Sequence, residues 1–198
     1  MKKIFSLIIL LYFSFVSLAS AIEFENLSFS NDSIRIQVPK SWYRLTRSDL
    51  NKASNITKEM VKDQELLSVL NKHYISMRSS QYNMKARFRL QEEELYNRRN
   101  DIPKMTFSEK FKKDFINLIE GNIPFPTYDW HFSKVNYPAI GIHILYSMVM
   151  RNEEWVSELY EFPDDKEKRA ILLELSYKKS EEKTVKPILD KIISSLRF

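Results

Sequence analysis

Phe24 to Ser30 and Ile34 to Val38 each alternate apolar with polar positions, and Asn31-Asp32-Ser33 between them supplies turn chemistry, so the pattern predicts an opening hairpin. Pro39 lacks a donor for a further rung and ends the second strand, and Trp42 follows where a large ring can cover the open end of a sheet. From Ser48 to about Lys72, Leu50, Ala53, Ile56, Met60, Leu67 and Leu70 recur every three or four residues, predicting a helix whose end carries His73. A histidine there can donate to free helix carbonyls, a structural role. Alternation returns at Tyr82, Met84, Ala86, Phe88 and Leu90, predicting a half-buried strand with Lys85, Arg87 and Arg89 in a row on its other face. That row is either a docking surface or, more simply, the partner of glutamates on a neighbouring strand.

Thr106-Phe-Ser-Glu109 reads as a capping box opening a helix with Phe107, Phe111, Phe115, Leu118 and Ile119 on one side and Gly121 as its stop. After residue 127 four strands are expected: Tyr128 to Val135, Gly141 to Met150, Glu154 to Phe162 and Lys168 to Tyr177. Their short separators imply antiparallel neighbours. A last helix carries Ile188, Leu189, Ile192, Ile193 and Leu196 as one stripe, and Thr184 is the expected cap because Pro187 then falls in the first turn.

The first residues have a different logic. Lys2-Lys3 precedes an uncharged run from Ile4 to Leu18 and then Ala19-Ser20-Ala21, the order of a secretory signal peptide with its cleavage site. Residues 1–21 are therefore expected to be removed and 22–198 to form one domain, periplasmic or secreted. The alternative is a membrane-tethered factor with an uncleaved N-terminal helix, since the uncharged run reaches Ile22. No repeat, low-complexity linker or second apolar run marks a further domain or span.

Composition removes several functional classes. There is no cysteine, which excludes disulfide scaffolds, thiolate metal sites and lipoprotein attachment. The net charge of +5 is spread through 31 basic and 26 acidic residues with no cationic stripe, against a nucleic-acid partner. With two glycines, Gly121 and Gly141, and no Gly-x-Ser-x-Gly, neither a phosphate loop nor a serine-hydrolase elbow is available.

Ile36-Gln-Val-Pro39-Lys-Ser-Trp42, a strand-rich second half and a last helix ending Ile192-Ile-Ser-Ser-Leu196-Arg-Phe198 together resemble the PsbP-like and DcrB-like superfamily. Ser41 stands where that superfamily usually has glycine before the tryptophan. The resemblance implies an α+β fold, an α/β/α sandwich with a mainly antiparallel sheet flanked by helices. It also implies an accessory or binding protein without a shared catalytic set, not an enzyme, with no cofactor and with an unknown protein or envelope component as partner.

Two constellations remain. Asp129, His131 and His143 would converge as a metal or hydrolytic acid/base site if position 131 pairs with position 143; a shift of two residues would place His143 opposite Ser133 instead. Phe125, Tyr128 and Trp130 lie among Pro124 and Pro126 between a helix and a strand. Such rigid rings either form a recognition surface or plug the sheet edge.

Overall fold

The computed structural model describes residues 22–46, 73–94 and 106–198. The signal-like segment and the expected helix over 48–72 lie outside these residues.

The opening hairpin forms as its alternation requires. Strands β1 (Phe24–Phe29) and β2 (Ile34–Pro39) pair antiparallel, with Ile34, Ile36 and Val38 at most 1% exposed. Ser30, Asn31 and Asp32 take φ of 52°, 53° and 66°, a left-handed region that short polar side chains enter more readily than branched ones.

The hairpin stands apart from a seven-stranded sheet. Its strands are β3 (Tyr43–Arg44), β4 (His73–Arg78), β5 (Ala86–Glu94), β6 (Thr127–Val135), β7 (Gly141–Met150), β8 (Glu153–Asp164) and β9 (Arg169–Lys178), in the order β3-β4-β5-β9-β8-β7-β6. Every pairing is antiparallel. β7 and β8 meet in a two-residue turn in which Arg151 (φ 54°) and Asn152 (φ 63°) are both left-handed, the form whose twist matches that of the strands. His73, expected at the end of a helix, is the first residue of strand β4.

The expected strand over residues 82–90 begins later, at Ala86. Ser79 and Ser80 hold the preceding turn: Ser79 Oγ accepts from the amides of Lys85 (2.9 Å) and Ala86 (3.1 Å), and Ser80 Oγ from that of Asn83 (3.3 Å). These bonds divert the backbone from the ladder and leave Tyr82 92% exposed.

Two helices complete the described chain, α1 (Glu109–Asn122) and α2 (Glu182–Ser195). The cap of α1 is Ser108, whose Oγ accepts from the Phe111 amide at 3.1 Å, not Thr106. Glu109 is then the first helical residue and pairs with Lys112 at 2.7 Å. Gly121 stays inside the helix; the stop is the extended Ile123 ahead of Pro124. At α2 a single 3₁₀ turn (Lys179–Glu181) feeds the helix directly from β9, so it starts before Thr184 and Pro187 lies within it. The carbonyl that loses its donor belongs to Lys183, which is exposed, so water can satisfy it.

One sheet face packs against both the hairpin and α2. Phe88, Leu90, Ile171, Leu173 and Leu175 interlock there with Ile34, Ile36, Val185, Leu189 and Ile192. Trp42 covers the end of this core, 6.1 Å from Phe88 between ring centroids. The opposite face is roofed over β6, β7 and β8 by α1.

Candidate functional site

The sheet ends at β6, and no strand of the described residues pairs with its outer edge. Beside that edge α1 lays down its aromatic stripe. Phe111 and Phe115 meet Phe132 at 6.2 and 5.9 Å between centroids, and Phe107 meets it at 5.9 Å. Trp130 stacks on Tyr146 at 4.4 Å with planes 17° apart, and meets Phe115 edge-on. The period of three and four in the helix and of two in the strand brings these rings together.

An open groove of about 490 Å³ runs between helix and strand, lined by Glu109, Lys112, Lys113, Ile116, Trp130, His131 and Phe132. Its floor is aromatic and its helical rim cationic, since Lys113 is exposed while Lys112 is tied to Glu109. An apolar trough alongside an edge strand and under a cationic rim suits an extended chain, which supplies backbone groups to the strand and side chains to the trough.

The aromatic segment of residues 125–130 contributes packing more than free surface. Phe125, Tyr128 and Trp130 are all half-buried. Burial of Tyr128, with the Glu154 carboxylate beside it, pushes its phenol above the ordinary range. Trp130 forms a wall of the groove because its ring is held by Tyr146 and Phe132.

Asp129, His131 and His143 are not brought together. The ladder places His131 opposite Leu145 and His143 opposite Ser133, and a bulge interrupts it between Tyr128 and His131, where Asp129 adopts φ 53°. Among the described residues no group of three or more histidine, aspartate or glutamate side chains could hold a metal. His131 borders the groove at the strand edge, and His143, two residues from Leu145, lies on the sheet face that packs against α2.

There His143 belongs to a buried polar cluster that the sequence reading did not anticipate. Its Nδ1 lies 3.3 Å from Ser133 Oγ, its Nε2 3.2 Å from Glu158 Oε2, and its ring stacks on Tyr160 at 4.3 Å. Glu158 is 1% exposed; it accepts from the Tyr160 hydroxyl at 2.7 Å and faces Lys186 of α2 at 3.2 Å. Burial by itself would raise this carboxylate, but the adjacent His143 imidazole, the hydrogen bond from Tyr160 and the Lys186 charge outweigh it and hold it down at about 2. The available signal was the period of two along β8, which puts Glu158 on the same face as Val156, Tyr160 and Phe162. With its carboxylate covered by α2, the cluster is built as a tie between helix and sheet.

No protein-family model and no curated protein matches the sequence. Among solved structures the chain is similar to the Ran-binding protein Mog1p of Saccharomyces cerevisiae, with a TM-score of 0.48 and 8% identity over 89% of this chain and 96% of that one. It is also similar to the solution structure of cyanobacterial PsbP (CyanoP) from Synechocystis sp. PCC 6803, with a TM-score of 0.56 and 11% identity over 91% of this chain and 95% of that one. At such identity the likeness is one of architecture: the chain has the PsbP-like α+β fold, a mainly antiparallel sheet flanked by helices.

Proposed function

We propose that this chain is an exported, non-enzymatic accessory or binding protein of the bacterial envelope, periplasmic or secreted after loss of residues 1–21. It holds a protein or other envelope component at the β6 edge. The observation that carries this reading is the open groove between α1 and β6 at the end of the sheet, floored by Trp130 and Phe132 and rimmed by Lys113. A binding role also accords with the use of the aromatic rings around it as a rigid support. No helix of the described residues is long and apolar enough to cross a membrane, so membrane association would rest on the N-terminal segment.

A photo-crosslinking residue placed at His131 or at Lys113 in the intact cell is expected to capture the same component, and one at Lys166 in the β8–β9 turn to capture nothing. Lys113→Glu should weaken capture at position 131. Capture at Lys166 equal to that at the two groove positions would overturn the reading. The intact mass of the exported protein decides the first part: a chain beginning at Ile22 agrees with cleavage, and a full-length chain recovered with membranes supports the tethered form.

A further inference from the structure

The half of the α1-bearing sheet face that α1 leaves uncovered has a different chemistry. Arg78 and Arg87 are directly opposite one another on β4 and β5, so both guanidinium groups stand on the same side of the sheet, and Arg89 follows two residues along. Like charges directly opposite each other disfavour pairing. Glu174 on β9 answers two of them, with Oε1 3.0 Å from Arg87 and Oε2 3.4 Å from Arg89. Lys85, the remaining cation of the row, is paired with Glu181 at 2.8 Å. Among the described residues no carboxylate pairs with Arg78. Arg78, Arg87 and Arg89 are half-buried and keep partial access to solvent, their side chains 34% exposed for Arg87 and 29% for Arg89. At the tip of the same hairpin Tyr82 is 92% exposed.

From this arrangement we propose that the β4–β5 face is a docking surface for an acidic segment of a protein partner, one of whose carboxylates enters between Arg78 and Arg87. Glu174 shows the geometry within the molecule: one carboxylate, two guanidinium groups, one oxygen to each. Arg78 repeats the cationic half of that arrangement on the other side of Arg87. Planar guanidinium forks match carboxylates in this way, and an exposed tyrosine beside them adds contact area at little entropic cost. The surface is separate from the α1–β6 groove, so the two can be tested independently.

The test is fluorescence anisotropy of the protein without residues 1–21 and a labelled hexaglutamate peptide. Binding is expected, weakening as salt rises, with hexaglutamine not bound. Arg78→Ala should reduce affinity about ten-fold, the loss typical of one charge-assisted pair, and Lys166→Ala should leave it unchanged. The melting midpoint of Arg78→Ala should equal or exceed that of the parent, because a like-charge pair is relieved. Should that variant not fold, amide shifts of the unaltered protein on titration with the peptide decide the matter. Shifts centred on β4 and β5 support the proposal, and shifts confined to α1 or α2 overturn it. Equal affinity for Arg78→Ala, equal binding of hexaglutamine, or displacement of the peptide by equimolar inorganic phosphate would also overturn it.

Discussion

His143 Nε2 and Glu158 Oε2 stand 3.2 Å apart across β7 and β8, beneath α2. The carboxylate is lowered on folding from an ordinary 4.5 to about 2, so the folded state binds its proton less tightly than the unfolded chain. Its contribution is complete above about 4.5 and is lost as the pH falls toward about 2. Urea midpoints between pH 5 and pH 2 should decline for the parent protein, and Glu158→Gln should decline less steeply over the same window.

Lys186 reaches the same carboxylate from α2, at 3.2 Å, and also pairs with Asp190. Lys186→Met leaves Glu158 buried with one cation fewer and should cost about 2 kcal/mol, less than a fully buried pair because Lys186 is 30% exposed. Adding Glu158→Leu should recover part of the loss in a double-mutant cycle, read by denaturant unfolding, since the orphaned charge is then gone.

Arg169 is 7% exposed at its side chain and ties three parts of the chain together. It donates to Asp164 at 3.0 Å, Glu92 at 3.1 Å, Ser30 at 3.0 Å and Ser33 at 2.8 Å. Arg169→Met strands the buried Asp164 carboxylate and should destabilise by about 3 kcal/mol. Hydrogen exchange should quicken first in the β1–β2 turn, which the guanidinium holds to the sheet.

Gly141 opens β7 under the neighbouring strand. A Cβ at this position would lie 2.5 Å from the Glu161 carbonyl oxygen and 2.6 Å from the Phe162 ring. Gly141→Ala is expected to cost about 2 kcal/mol by thermal unfolding, because a backbone carbonyl has little room to retreat. At Gly121, where nothing lies within 4 Å, the same substitution should be neutral or slightly stabilising.

Where one period dominated, the chain was legible: β1, β2 and β7 fall where alternation put them, and the stripe Leu189, Ile192, Ile193 lies against the sheet. Lys85, Arg87 and Arg89 found glutamate partners, Glu181 and Glu174, as a polar row beside a neighbouring strand suggests. Local hydrogen-bond competition was less legible. Ser108 outcompetes Thr106 because it immediately precedes the first helical residue, and Ser79 and Ser80 delay β5. β4 was missed because its His73–Arg78 strand is short and follows directly on the expected helix.

The site was least legible, since it depends on register. The residue facing His143 is set by the length of the β6–β7 turn, where Val135 pairs with Gly141, and the bulge between Tyr128 and His131 then shifts the far end of the ladder; neither is visible in composition. The edge position of β6 likewise depends on strand order, which pairwise spacing does not contain.

The hairpin at the start of the domain is fastened by residues from its far end: Arg35 and Arg197 exchange two backbone hydrogen bonds of 2.9 Å, and the Gln37 amide donates to Ser195 Oγ at 2.8 Å. The hairpin therefore cannot take its final seat before the last helix is in place, so two segments far apart in the sequence settle in one step.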